Sequence, residues 1–148
     1  MRKAKKFKLT SEFIVDISGV KLFRIKALIE FGNVKAGDLG GYIEKEENLS
    51  HMGDAWIYGD AQISGNAQVF GDARVSGDKD YAYAHGFGSC NRTTTFFRLK
   101  DGDVGVRCGC FYGTLAQFRD KVCETHGETK KAQEYLMLAD LMEIRFKN

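Results

Sequence analysis

Residues 53–76 read GDAWIYGDAQISGNAQVFGDARVS, which is four consecutive copies of a six-residue repeat. Glycine opens each copy, Asp or Asn follows it, alanine is third and an aliphatic residue is fifth. A period of six with one small and one aliphatic inward position suits a triangular coil with three flat faces. The glycine pairs then lie at the corners, where a positive φ is often needed. The stretch therefore predicts a left-handed parallel β-helix.

The phase of the repeat predicts which side chains are buried. The fifth-position aliphatics, such as Ile63 and Val69, should stack inside the coil. The variable fourth-position residues should point outward: Trp56, Gln62, Gln68 and Arg74. Ile43 and Leu49 keep the same spacing upstream, which brings the coil to about two full turns. The ends of so short a coil expose unpaired backbone, so either the flanking segments cap it or the coil self-associates, with a homotrimer as the expected assembly.

The flanking segments divide the chain into three predicted parts. Residues 1–38 form an N-terminal β cap built on a hairpin, residues 39–82 form the β-helix, and residues 83–148 form an α+β C-terminal domain. The last part combines a β-hairpin around the turn KDGD with two helices. Thr114 caps the first helix, with Gln117 completing a capping box, and the second helix begins near residue 129. The predicted fold class is mainly β with an α+β C-terminal part.

Charge and composition narrow the possible partners. The formal net charge is only +2, which argues against an acidic DNA mimic and gives no support for a dedicated nucleic-acid binder. No apolar run approaches the roughly 18 residues of a membrane span, and no secretory signal follows the charged N-terminus. The cysteines are too sparse for a disulfide framework, so cytosolic thiols are expected.

The known enzymes that use six-residue coils place histidines in or between the coils. An acyltransferase of this architecture needs more coils and a histidine base in the cleft between subunits. A γ-type carbonic anhydrase needs three histidines around zinc. Here His51, His85 and His126 all lie outside the regular repeats. The sequence therefore predicts a protein that is not an enzyme, with no catalytic residues and no cofactor.

Zinc remains an alternative for the C-terminal cysteines. Cys108, Cys110, Cys123 and His126 together would make an acceptable ligand set. However, the Cys-x-Cys spacing is tighter than the usual Cys-x-x-Cys knuckle. Two buried small side chains beside two ordinary thiols are the favoured interpretation, and no metal site is predicted.

The most suggestive polar cluster lies in NRTTTFFR, residues 91–98. Hydroxyl and guanidinium donors gather along this strand, across the hairpin and at the two ends of the first helix, and such donors suit an anionic, nucleotide-like ligand. Alternation along the strand lets two of the threonines share a pocket from which Thr94 is excluded. An ordinary exposed strand face with a normal helix cap is the alternative. The predicted ligand-binding residues are Arg92, Thr93, Thr95, Arg107, Thr114 and His126.

Two long phrases carry a resemblance. Residues 37–78, GDLGGYIEKEENLSHMGDAWIYGDAQISGNAQVFGDARVSGD, resemble the repeat region of small proteins borne by phages and prophages of gut bacteria. Residues 93–127, TTTFFRLKDGDVGVRCGCFYGTLAQFRDKVCETHG, resemble a domain that follows those repeats. The resemblance implies a phage accessory protein in the bacterial cytoplasm that acts against host defence.

Three functions follow from the cluster and the resemblance together. The leading one is sequestration of a small nucleotide immune signal. The second is inhibition of a host defence complex, such as a CRISPR effector, through a protein-binding surface. The third is a trimerising structural module. No membrane or direct nucleic-acid contact is expected in any of them.

Overall fold

The computed structural model describes residues 5–87, 92–109 and 111–147. Within them the chain is mainly β and ends in two helices, an α+β arrangement. The strands are β1 Phe7–Val15, β2 Lys21–Ala27, β3 Leu39–Ile43, β4 Trp56–Ile57, β5 Gln62–Ile63, β6 Arg74–Val75, β7 Tyr81–Phe87, β8 Arg92–Arg98, β9 Val104–Cys108 and β10 Phe111–Thr114. The helices are α1 Leu115–His126 and α2 Lys130–Phe146. Neither of these two described helices has the length and apolar character needed to cross a membrane.

The repeat folds back on itself in parallel pairs. Each of three aliphatic residues pairs with a second aliphatic residue 18 or 20 positions further along the chain. The six residues thus form two stacked layers, with three aliphatic residues in each. The pairs are Ile43 with Ile63, Leu49 with Val69, and Ile57 with Val75. All six side chains are buried, whereas Gln62, Gln68 and Arg74 are exposed, so these predictions from the repeat phase are confirmed. The glycines that open the four copies all have φ between 59° and 73°, as the predicted corners require.

Trp56 departs from the prediction. Its position in the repeat points it away from the stack, yet it is only 2% exposed. The ring of Phe31 packs edge-on against it with centroids 5.3 Å apart, and Phe7 lies at 6.5 Å. The prediction that Trp56 faces solvent is wrong because the N-terminal segment folds over this face of the stack.

The N-terminal segment covers one end of the stack. Strands β1 and β2 form the predicted antiparallel hairpin, and β2 pairs with β3, so this hairpin extends a sheet of order β1-β2-β3-β5. On another face the buried ammonium of Lys6 donates to the carbonyl oxygens of Gly53 (3.3 Å) and Ala55 (2.7 Å). Backbone acceptors at this end are therefore satisfied by flanking residues.

The C-terminal sheet covers the other end. Its order is β7-β8-β9-β10, with every pair antiparallel, so the predicted hairpin is confirmed but gains a strand on each side. Phe97 enters the core of the stack, and Ala73 forms a bridge with Leu99. Phe96 and Val106 belong instead to the core under the helices. The sheet thus lies between the stack and the two helices.

The helix boundaries follow the capping residues of the sequence. The hydroxyl of Thr114 accepts from the backbone N–H of Gln117, whose side chain bonds back to the cap, and Gly127 ends α1 with φ of 59°. At the start of α2 the hydroxyl of Thr129 accepts from the backbone N–H of Ala132. Both helices are thereby confirmed. The buried stripe of α2 is Ala132, Tyr135, Ala139, Met142 and Phe146, and Leu136 is partly buried beside it.

Candidate functional site

The predicted ligand-binding residues are divided between the two faces of the C-terminal sheet. Alternation along β8 and its pairing with β9 put Thr93, Thr95 and Arg107 on the face toward the repeat stack. Thr94 lies on the other face, where its hydroxyl donates to the sulfur of Cys108 at 3.2 Å. The structure therefore agrees that Thr94 cannot share a pocket with its two neighbours.

Thr95 connects two parts of the protein. Its side chain is 1% exposed, and its hydroxyl accepts from the backbone N–H of Gln68 at 2.9 Å. Thr93 is only partly buried, and its hydroxyl lies 2.7 Å from Nδ1 of His85 on the neighbouring strand. Of the two threonines, Thr93 is the one with a side chain on an open cavity.

Thr114 and His126 lie away from this cavity. They stand at the two ends of α1, whose 12 residues separate them by about 18 Å. The ring of His126 stacks on Tyr135 of α2 with centroids 5.7 Å apart. Because α1 packs on the far face of the sheet, the structure does not bring these two residues together with Thr93 and Arg107.

Arg92 opens β8, where its backbone pairs with Phe87. Its side chain lies outside the described part of the structure, as does Cys110. The prediction that Arg92 contributes to a binding site stays a prediction.

A groove of about 450 Å³ runs between the repeat stack and the sheet, and we call it the interface groove. Its lining combines two cations, one carboxylate and several polar groups drawn from both sides. The lining residues are Lys45, Glu47, Asn66, Ala67, Gln68, Thr93, Arg107 and Gly109. An adjoining cavity of about 230 Å³ shares Glu47, Gln68 and Arg107 with it. The volume of the interface groove lies in the range of small-ligand sites, and the adjoining cavity is smaller than that range.

Arg107 is held in place within the groove. Its Nε donates to the side-chain oxygen of Gln68 at 3.2 Å, and its guanidinium carbon lies 4.6 Å from the centre of the Phe70 ring. This contact and the hydrogen bond to Gln68 hold the guanidinium over the Phe70 ring. Its two terminal nitrogens form no hydrogen bond with the described residues. They remain as a pre-oriented pair of donors.

Lys45 supplies the second positive charge from the opposite wall. Its ammonium donates to the side-chain oxygen of Asn66 at the neighbouring corner of the stack. With Glu47 as the one carboxylate in the lining, the two cations leave the groove with one net positive charge. An anionic group of low charge is the species that such a balance favours.

Sequence reasoning missed the repeat side of this groove. Asn66 and Gln68 occupy outward positions of the third repeat copy, and Lys45 and Glu47 lie in the irregular stretch before it. Their exposure could be inferred from the six-residue phase. Nothing in that phase indicates that this particular face would lie opposite β8 and β9.

The two described cysteines of the alternative zinc set, Cys108 and Cys123, lie in different surroundings. The Cys108 thiol lies in the core under the helices, 3.7 Å from the hydroxyl of Tyr135. Cys123 is exposed on α1. No group of three or more His, Cys, Asp or Glu side chains in the described residues could hold a metal ion.

No protein-family model matches this chain, and no curated protein shows significant similarity to it. In structural terms it is an α+β protein in which a stack of six-residue repeats and a four-stranded antiparallel sheet enclose a polar, weakly positive groove.

Proposed function

We propose that this protein is a non-enzymatic binding protein that holds a small anionic, nucleotide-like ligand in the interface groove. The observation that carries the proposal is the convergence of Lys45 and Arg107 on one cavity from two separate parts of the chain. Both side chains already have a neutral polar partner, so neither is neutralised by an ion pair with the described residues.

The chemistry of the lining suits a phosphate group. The Arg107 guanidinium, held over the Phe70 ring, offers the N–H donors of its terminal nitrogens, and a guanidinium fork matches two phosphate oxygens. The Thr93 hydroxyl on the sheet wall and the Asn66 amide on the repeat wall add uncharged donors to the groove. Polar side chains that can both donate and accept also suit the edge of a nucleobase.

We further propose that the repeat is a short left-handed β-helix. Three parallel pairings at a separation of 18 or 20 residues, together with positive φ at the corner glycines, support a triangular coil. The handedness is inferred from the six-residue motif itself.

The biological setting of the proposal comes from the sequence resemblance. A phage-borne protein that sequesters a nucleotide immune signal in the bacterial cytoplasm would need a pocket of this size and charge, and no catalytic group. Inhibition of a defence complex through the exposed repeat face, and a trimerising role, are the competing outcomes. The capping seen at both ends of the stack reduces the need for self-association along the coil.

Calorimetric titration with inorganic phosphate, AMP and cyclic di-AMP tests the proposal. Arg107→Ala should weaken binding of the preferred probe by roughly ten- to a hundredfold, because one charge-assisted contact is lost. Arg119→Ala is the matched control, since Arg119 pairs with Asp140 and Glu143 on the helices away from the groove. Arg92→Ala tests the remaining predicted arginine.

The bound probe should be recovered chemically unchanged after denaturation of the protein, as a sponge requires. Failure of all three probes to bind, or equal affinity for wild type and Arg107→Ala, would overturn the proposal. If substitution of Arg74 abolished the activity against host defence and left probe binding intact, the protein-binding alternative would be favoured.

A further inference from the structure

A small cavity of about 190 Å³ lies where three segments of the chain meet, and we call it the corner cavity. The loop between β2 and β3, the repeat stack and the turn between β8 and β9 all contribute to its wall. The polar and charged residues in this wall are Asn33, Asp54, Tyr58, Asp72, Arg74 and Lys100. The corner cavity shares no described residue with the interface groove or the cavity adjoining that groove. Its volume lies below the range of drug-sized sites, so any occupant is small.

The two carboxylates of the corner cavity stand in neighbouring layers of the stack. Asp54 and Asp72 each follow a corner glycine, and a methyl group on Gly53 would lie only 2.8 Å from the carbonyl oxygen of Gly71. Strands in neighbouring layers are about 4.8 Å apart, so the two like charges are close enough to repel each other. A cationic group between the two carboxylates would relieve this repulsion.

The two cations in the wall do not neutralise these carboxylates by direct contact. Among the residues that the structure describes, none of the four charged side chains in this wall forms an ion pair or a hydrogen bond. The backbone N–H of Lys100 donates to the carbonyl oxygen of Asp72 at 3.0 Å, which brings the β8–β9 turn to this corner. Arg74 follows two residues later in the same repeat copy. Charges of both signs therefore line the cavity and are open to a ligand.

Asp54 has a further charged neighbour, Lys6, which does not line the cavity. Burial lowers the pKa of the Lys6 ammonium, and attraction to the Asp54 carboxylate offsets part of that shift. The hydrogen bonds of this ammonium go to the carbonyl oxygens of Gly53 and Ala55. Because Lys6 balances part of the charge of Asp54, we expect Asp72 to contribute more to the binding of a cationic group.

We propose that the corner cavity binds a small zwitterion, of which an α-amino acid is the simplest class. The ammonium group of the ligand would lie between the carboxylates of Asp54 and Asp72. Its carboxylate would face Arg74 and Lys100, and the Tyr58 hydroxyl can donate to one group or accept from the other. The charges in the wall sum to zero. A ligand with one charge only would leave two like charges of the wall without a partner.

Amide chemical shifts recorded during titration with L-alanine, propionate and ethylamine test the proposal. Propionate lacks the ammonium group of alanine, and ethylamine lacks its carboxylate. L-Alanine should bind at least about tenfold more tightly than either analogue, because each analogue loses one charge-assisted contact. On addition of L-alanine the amides of Tyr58 and Lys100 should shift, whereas the amide of Gln68 in the interface groove should not. The result is therefore independent of the proposed anion site.

Substitutions separate the two charged contacts. Asp72→Asn should weaken the binding of L-alanine about tenfold without weakening that of propionate, and Arg74→Gln should weaken it similarly without weakening that of ethylamine. Both positions are exposed, and a melting curve of each variant checks the fold. Asp120→Asn, an exposed change on α1, is the matched control and should bind as the wild type does.

Three results would each overturn the proposal. The first is the absence of a shift at Tyr58 and Lys100 with L-alanine at up to about 50 mM, a concentration that would reveal even millimolar affinity. The second is equal affinity of the wild type for the three molecules. The third is wild-type affinity for L-alanine in both Asp72→Asn and Arg74→Gln.

Discussion

The backbone N–H of Gln68 donates to the hydroxyl of Thr95 across 2.9 Å, and this bond joins the repeat stack to the C-terminal sheet. The side chain of Gln68 in turn accepts from Arg107 on the neighbouring strand. One residue of the repeat therefore sets both the spacing of the two groove walls and the direction of the cation between them. The position of Arg107 depends on packing between segments distant in sequence.

Replacing Thr95 with valine keeps the side-chain shape and removes the acceptor for the Gln68 N–H. We expect the free energy of unfolding to fall by about 1–3 kcal/mol, since a backbone donor loses its partner. Thr93→Val is the control: it should change stability little and weaken ligand binding instead. Urea unfolding of both variants gives the comparison. Equal stability of Thr95→Val and wild type would contradict the role of Thr95 in linking the repeat stack to the C-terminal sheet.

Glu47→Gln should strengthen the binding of a phosphate-bearing probe about two- to fivefold. The carboxylate lines the same groove as the two cations and repels an incoming anion, and removing its charge removes that repulsion. The gain in affinity should shrink at high ionic strength, because solvent ions reach both the Glu47 carboxylate and the bound anion. Calorimetric titration at two salt concentrations measures it. Glu128→Gln, an exposed change on the loop after α1, should have no effect.

Lys6 gives the protein a stability that depends on pH above neutrality. Burial lowers the pKa of its ammonium from 10.5 to about 8, and the carboxylate of Asp54 offsets part of that shift. Between pH 8 and 10.5 the unfolded chain holds this proton more tightly than the folded one. Stability from this group therefore increases as pH rises through that window, by about 1.4 kcal/mol per unit of pKa separation at most.

Denaturation curves at pH 7.5 and at higher pH values, chosen within that window, test the assignment. Lys6→Met should lose the rise in stability, whereas Lys8→Met, at an exposed position of β1, should keep it. The neutral amine retains two N–H donors for the carbonyls of Gly53 and Ala55, so the folded contacts survive deprotonation. If the stability of Lys6→Met rose with pH as much as that of the wild type, the rise would be due to groups other than Lys6.

Alanine substitutions at two repeat glycines distinguish destabilisation by backbone strain from destabilisation by a steric clash with the C-terminal sheet. Both Gly59 and Gly71 have a positive φ, so an alanine at either position should cost roughly 1–2 kcal/mol. Beyond Gly59 there is open space, whereas a methyl group on Gly71 would overlap the hydroxyl of Tyr112. Gly71→Ala should therefore be the more destabilising variant by thermal melting. Equal melting temperatures would mean that Tyr112 moves aside without cost.

The features that could be predicted from the sequence are those determined by residues close together in the chain. The repeat phase identifies the buried Ile63 and Val69, and the caps Thr114 and Thr129 mark both helix starts. Strand β7 carries a readable signal as well, because Ala82 and Ala84 alternate with larger residues. The alanines pair with Phe96 and Thr94 on the helix side of the sheet.

The burial of Trp56 and the groove itself could not be predicted in the same way. Each depends on which face of the stack a flanking segment covers, and that choice is made by tertiary packing rather than by the repeat. The six-residue phase gives the direction of a side chain and not its neighbour. The predicted cluster consequently combined residues from both faces of the sheet, and only Thr93 and Arg107 among those with described side chains line the groove.

Trp56 and Arg74 pair in neighbouring layers across 18 residues, so three repeat copies bring the chain back to the same face. Inserting a single copy would turn the C-terminal sheet by about a third of a turn around the axis of the stack and separate Lys45 from Arg107. Inserting three copies would lengthen the stack while keeping the orientation of the sheet about the axis of the stack. Duplication of repeat copies therefore keeps the orientation of the sheet only when it adds whole turns of the stack, and each whole turn is three copies.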